Sequence, residues 1–171
     1  MLFRSQDANL ANADFSDSFL ENVNLQGANL QNAYMKNTHL YDSSLRNANL
    51  QGADLTAVSF ATVVLLETDF QNANLQGTNF AGTDLTNLNL EGANLQFANL
   101  QYTNLRGANL SNSDLLGANL FNAILRDANL SNANLQGANL DNANLLDTKF
   151  LSTKNLPISL EEARDRGAKV D

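Results

Sequence analysis

Apolar residues in this chain recur at a fixed interval of five. Every fifth position from Leu10 to Phe150 is apolar, with 23 Leu, five Phe (Phe15, Phe60, Phe70, Phe80, Phe150) and Met35 over 29 positions. Two residues before each lies a second column, of 16 Ala, six Thr, three Ser, three Val and Leu88, small at 28 of 29 places. No insertion or deletion breaks the frame across 145 residues. A period of five suits neither a helix at about 3.6 nor a plain strand at about 2.0. The two columns are two residues apart, however, and in extended backbone such residues share a face. Each unit therefore reads as a short strand with both ends inward and its middle outward, followed by two residues that turn the chain. The last turn position is Gly at eight places, Asn at eleven and Asp at four, residues that tolerate positive φ at the third position of a type II turn. Turning the same way after every unit winds the chain into a coil with Leu and Phe inside, and stacked coils pair through their backbones. The pattern predicts an all-β solenoid.

Beyond Phe150 the frame fails at Asn155, and Pro157 ends strand character. Ser159 with Glu162 forms a capping box and Gly167 suits a C′ position, which predicts a short helix over about 159–166. Segment 153–171 thus reads as a cap that lays Leu156, Ile158, Leu160 and Ala163 over the open end of repeats 8–152, because an uncovered solenoid end exposes core and strand edges. The N-terminal segment 1–7 offers only Leu2 and Phe3. These two either fold over the first coil or meet the same end of another molecule in a head-to-head dimer.

Units such as Ala28-Asn29-Leu30-Gln31-Asn32, Ala48-Asn49-Leu50-Gln51-Gly52 and Ala138-Asn139-Leu140-Asp141-Asn142 resemble those of the pentapeptide repeat proteins, common in bacteria and especially in cyanobacteria. The resemblance covers residues 8–152 and implies a right-handed quadrilateral β-helix with four units per coil. At four units per coil, 29 units make about seven and a quarter coils and a rod roughly 35 Å long.

Composition narrows the function. Without Cys there is no disulfide frame, thiol nucleophile or Cys-based metal site, and the single His39 builds no multi-His site. No cofactor and no enzymatic activity are expected. A net charge of −8 argues against direct contact with nucleic acid or an anionic membrane. The chain has no signal-peptide h-region and no apolar stretch of membrane-spanning length, so a cytoplasmic location is expected. Outward carboxylates such as Asp14, Asp54 and Asp114 on a convex rod are expected to keep ordinary pKa values, and a packed core leaves no cleft.

Assigning units to the four faces that the resemblance implies gives charges of −1, −3, −3 and −1 for the faces of Leu10, Phe15, Leu20 and Leu25. Some relatives imitate DNA in the cationic saddle of a type II topoisomerase such as DNA gyrase. One side at −6 is dilute against about 20 phosphate charges on duplex of the same length. The face of Leu20 gathers Phe19, His39, Tyr41, Tyr102 and Phe121, with Phe19 and His39 one coil apart and Tyr102 likewise beside Phe121. Aromatics of this kind are what protein interfaces enrich. Arg106 and Arg126 stack one coil apart beside Asp127 and Asp147, either as a surface charge ladder or as an Arg contact for a partner. The least regular stretch, 56–67, ends three successive turns in Ala57, Thr62 and Glu67 and places Val64 and Leu66 outward. It reads either as turns of another type with Val58 and Val63 filling core, or as an exposed apolar patch that binds something. A non-enzymatic scaffold binding an unidentified protein is the reading these features favour. A topoisomerase mimic and an assembly role through the solenoid ends are the alternatives.

Overall fold

The computed structural model describes residues 5–171; Leu2 and Phe3 lie outside the described residues. The chain winds so that residue i pairs in parallel with residue i+20, from Asn9 with Asn29 to Asn134 with Lys154. Four five-residue units therefore close each coil. One rung is representative: Leu10 N–H donates to the Asn29 carbonyl at 2.7 Å, Asn29 N–H donates to the Ala8 carbonyl at 2.9 Å, and Ala13 N–H closes the turn on the Leu10 carbonyl at 3.1 Å. Ser5 and Asp7 already donate to the Asn24 and Gln26 carbonyls, so the ladder reaches back to Ser5.

Both inward columns are buried from Val23 to Phe150, apart from the half-buried Val63. Phe60 and Phe80 stack at 4.7 Å, and Phe70 meets both rings edge-on at 5.7 and 6.2 Å. Buried hydroxyls in the small column are satisfied by carbonyls of the coil wall, as Thr68 Oγ1 donates to Leu45 O at 2.8 Å and Thr148 Oγ1 to Leu125 O at 2.8 Å. Outward Asn does two jobs. The Asn49 Oδ1 accepts the Gln51 N–H of its own turn at 3.0 Å, and Asn94 Nδ2 donates to Asn74 Oδ1 of the preceding coil at 3.0 Å. An amide with one acceptor and two donor hydrogens suits that pair of contacts.

The last coil departs from this scheme. After β1 (Lys149–Phe150) the chain forms helix α1 (Leu160–Asp165), with Ser159 Oγ accepting the Glu162 N–H at 3.0 Å, and then β2 (Lys169–Val170). Strand β2 pairs in parallel with β1 at the same offset of 20, Lys149 with Lys169. Arg166 Nη2 donates to the carbonyls of Leu140 at 2.8 Å and Ala143 at 2.6 Å, tying the helix to the coil beneath. Ala163 is buried, and Leu156 and Ile158 pack against the core half-buried. Leu160 is instead 50% exposed, a correction to the expected cap. As the first helical residue it sits at the outer edge of a helix only 6 residues long.

Candidate functional site

The offset of 20 brings the sequence-predicted aromatics together. Phe19 stacks on His39 with centroids 4.4 Å apart and planes 13° apart, and Tyr41 meets His39 at 5.9 Å. Tyr102 meets Phe121 edge-on at 5.8 Å. Phe19 is 72% exposed and Tyr102 60% exposed, while His39 and Phe121 are half-buried beneath them. The His39 Nδ1 is buried without a hydrogen-bond partner. Phe97, not singled out in the sequence, stands exposed at a turn bordering the same face, with φ of 57°. Its signal was there: an aromatic in a column otherwise rich in Gly, Asn and Asp.

The irregular stretch is a step in the coil. From Asn12 to Ser152, the last residue of every turn has φ between 52° and 70° except Thr62. Ala57 at 61° and Glu67 at 60° keep the ordinary turn, so only one of the three suspected turns changes type. A β-branched residue is costly at positive φ, and Thr62 escapes. Its hydroxyl accepts the Asp42 N–H at 2.9 Å, where the preceding coil uses a carbonyl, Tyr41 O, to accept the Asn22 N–H. The units on either side of Thr62 then part company. Val58–Phe60 bonds only to the next coil, with Asn79 N–H donating to Val58 O and Phe60 N–H to Asn79 O. Val64 bonds only to the preceding coil, exchanging bonds with Ser43 O and the Leu45 N–H. The rungs His39 to Ser59 and Val64 to Asp84 are consequently missing from ladders that are otherwise continuous among the described residues.

Each missing rung leaves a groove. One, of about 310 Å³, lies between His39 and Ser59. The other, of about 410 Å³, runs between Val63–Leu66 and Thr83–Thr86 over Leu65 and Leu88. Val64 is 51% and Leu66 46% exposed at its lip. These grooves correct the expectation of a rod without clefts.

The arginine pair is bridged by one carboxylate. Asp127 Oδ2 lies 3.5 Å from Arg106 Nε and 3.4 Å from Arg126 Nε, with all three side chains well exposed. Asp147 turns instead to Lys169 Nζ at 2.9 Å, and the hydrogen bond and charge of Lys169 hold its carboxyl below the usual carboxylate range. Asp14 also departs from the expected ordinary value. The Ser16 backbone N–H, donating to Asp14 Oδ1 at 2.9 Å, lowers it.

The family model for pentapeptide repeats matches eight copies, over residues 6–40, 24–61, 65–96, 89–127 and 128–154. The chain belongs to the pentapeptide repeat family. Among solved pentapeptide repeat proteins, alr5209 from Nostoc PCC 7120 is 36% identical over 60% of this chain and 84% of its own, at a TM-score of 0.55. HetL, from Nostoc sp. strain PCC 7120 and involved in heterocyst differentiation regulation, is 24% identical over 98% of this chain and 84% of its own, at a TM-score of 0.43. QnrB1, a plasmid-mediated fluoroquinolone resistance protein, is 18% identical over 95% of this chain and 77% of its own, at a TM-score of 0.36. No curated protein matches the chain. Pentapeptide repeat proteins fold as right-handed quadrilateral β-helices, the architecture to which the offset of 20 corresponds. They are generally non-enzymatic structural and interaction proteins. No helix among the described residues is long and apolar enough to cross a membrane.

Proposed function

We propose that this pentapeptide repeat protein is a non-enzymatic scaffold that binds a protein partner on the face of Leu20, on a β-helix of about seven coils capped by α1. The observation that carries this reading is the distribution of aromatics on that face. Phe19, His39 and Tyr41 cluster near one end, Tyr102 and Phe121 cluster further along, and between them the floor is small: Ser59, Ala61, Asn79, Ala81. Three coils separate the clusters, about 14 Å. Rings already paired before binding lose little freedom on contact, and exposed aromatics anchored this way are what interfaces use as hot spots.

The test is affinity capture from the source organism, comparing the wild-type chain with a Phe19→Ser/Tyr102→Ser variant whose far-UV spectrum matches it. Loss of a specific protein by about tenfold or more is expected, since each anchor is worth about 2 kcal/mol; an unchanged set of captured proteins overturns the reading. Topoisomerase mimicry is the weaker reading, because −6 spread along two faces is sparse beside about 20 phosphates. A supercoiling assay at micromolar protein is expected to show no effect. A head-to-head dimer through Leu2 and Phe3 is favoured by the N-terminal coil, where Leu10, Phe15 and Leu20 are half-buried around a groove of about 270 Å³. A monomeric mass by light scattering at tens of micromolar would exclude it.

A further inference from the structure

We infer that the groove between Val63–Leu66 and Thr83–Thr86 takes up one extended segment of a partner polypeptide, whose backbone completes the rung missing between Val64 and Asp84. The inference goes beyond the scaffold reading, because this groove lies on the face of Leu25, next to the aromatic face of Leu20. Elsewhere on this face the ladder is continuous, running Asn24–Ser44–Val64 below the gap and Asp84–Asn104–Ile124–Asn144 above it. By the register of those rungs, Leu65 N–H should donate to Asp84 O and Asp84 N–H to Val63 O, as Leu45 N–H donates to Val64 O and Val64 N–H to Ser43 O. Neither bond forms, and among the described residues these two donors and two acceptors have no backbone partner. Strand edges with unpaired groups are templates for another strand, and main-chain pairing at such an edge is a recurrent mode of peptide recognition.

The chemistry of the walls states what the segment carries. The floor is made by Leu65 and Leu88, both 3% exposed, and the lip by Val64 and Leu66, so the residue pointing inward is apolar. Asp84 lines the groove, Glu67 stands exposed at the adjoining turn, and no cation forms an ion pair with either among the described residues. Basic residues flanking the apolar one therefore complement the rim. The volume of about 410 Å³ falls within the range of about 300–1,000 Å³ typical of ligand sites.

The experiment uses the full chain, labelled with nitrogen-15, and the blocked peptide Ser-Lys-Val-Thr-Val-Lys-Ser as probe. In the free protein the Leu65 and Asp84 amides are expected to exchange faster than Leu45 and Leu85, whose N–H groups are bonded. On peptide addition both are expected to slow by about tenfold, as bonded rungs do. The same peptide N-methylated at its two Val residues is expected to leave them unchanged, and Thr62→Asn, which lets the turn go left-handed and the rung close, is expected to remove binding. Equal binding by the methylated peptide, Leu65 and Asp84 amides already as slow as Leu45, or no perturbation by the probe would each overturn the inference. So would slowing that depends on protein concentration without peptide, which would make a second copy the occupant. The Phe19→Ser/Tyr102→Ser variant is expected to bind the probe normally. If the probe fails while that variant still loses its captured partner, the groove inference falls and the scaffold reading stands.

Discussion

Single side chains decide where this coil is regular and where it breaks. The turn position sits at positive φ nearly throughout, which for a residue other than Gly, Asn or Asp costs about 1–2 kcal/mol. Ala57, at 61°, bears that cost without an amide side chain to offset it. Ala57→Gly is expected to raise stability by about 1 kcal/mol in urea unfolding. Gly77→Ala, at φ 65° with open space around the added Cβ, is expected to lower it by a similar amount, because only backbone strain changes. Gly117 has less room, since an added Cβ would meet the Phe97 ring at 2.8 Å. Thr62→Asn is expected to stabilise by about 1 kcal/mol, replacing a β-branched residue by one that accepts the left-handed turn. The oddness of 56–67 was legible in the sequence, but that Thr62 alone yields was not. Ala57 stays because Gln76 O holds its N–H at 2.9 Å, a bond supplied by a coil 20 residues away.

At the scale of the element, one coil is both a turn of the solenoid and a slab of core. Phe60 and Phe80, stacked on one face, and Phe70, reaching in from the opposite face, fill the middle of the rod. Phe70→Ala is expected to cost about 3–5 kcal/mol, because walls fixed by backbone ladders collapse poorly around a cavity. A fall in the urea midpoint measures it; a loss under 1 kcal/mol would mean that the coil does relax. The C-terminal rung depends on pH. Asp147 is held below its ordinary value by Lys169, so its ion pair contributes fully above that ordinary value, near 3.8, and is lost as pH falls through the lowered one. Exchange of the Lys169 amide, bonded to Thr148 O at 2.7 Å, is expected to accelerate more below pH 4 than exchange of a mid-rod amide such as Leu100, after correction for intrinsic rates, and Asp147→Asn to remove that difference. Strand β2 itself escaped sequence reading. Ala168, Lys169 and Val170 restore the frame, yet a single unit after a helix has no neighbours in sequence to reveal its period.

For the whole molecule, the rod is a stack whose ends and faces have separate tasks. Removing residues 153–171 would take away α1, β2 and the Arg166 bonds to Leu140 and Ala143, leaving the edge at 133–152 open. The shortened chain is expected to associate with rising concentration, seen as increasing mass in light scattering, because an uncovered strand edge pairs with another. Among the described residues, the inward Leu10, Phe15 and Leu20 of the first coil are half-buried, whereas Phe150 beneath α1 is buried. Association through the C-terminal end should appear only after truncation.

The unit, its inward columns and the winding of a solenoid can be read from the chain alone, because a five-residue frame repeated 29 times leaves each side chain one possible direction. The chain also places the helix near 160, through a capping box that acts within one turn. Which rungs exist is settled between coils. Whether Val64 pairs with Asp84, whether Phe19 lies on His39, and which acceptors Arg166 reaches all depend on residues about 20 or more positions apart in neighbouring coils. Local chemistry sets the turn at each corner, but the height at which one coil meets the next sums the turns between them, and a single β-branched residue at Thr62 was enough to open a seam.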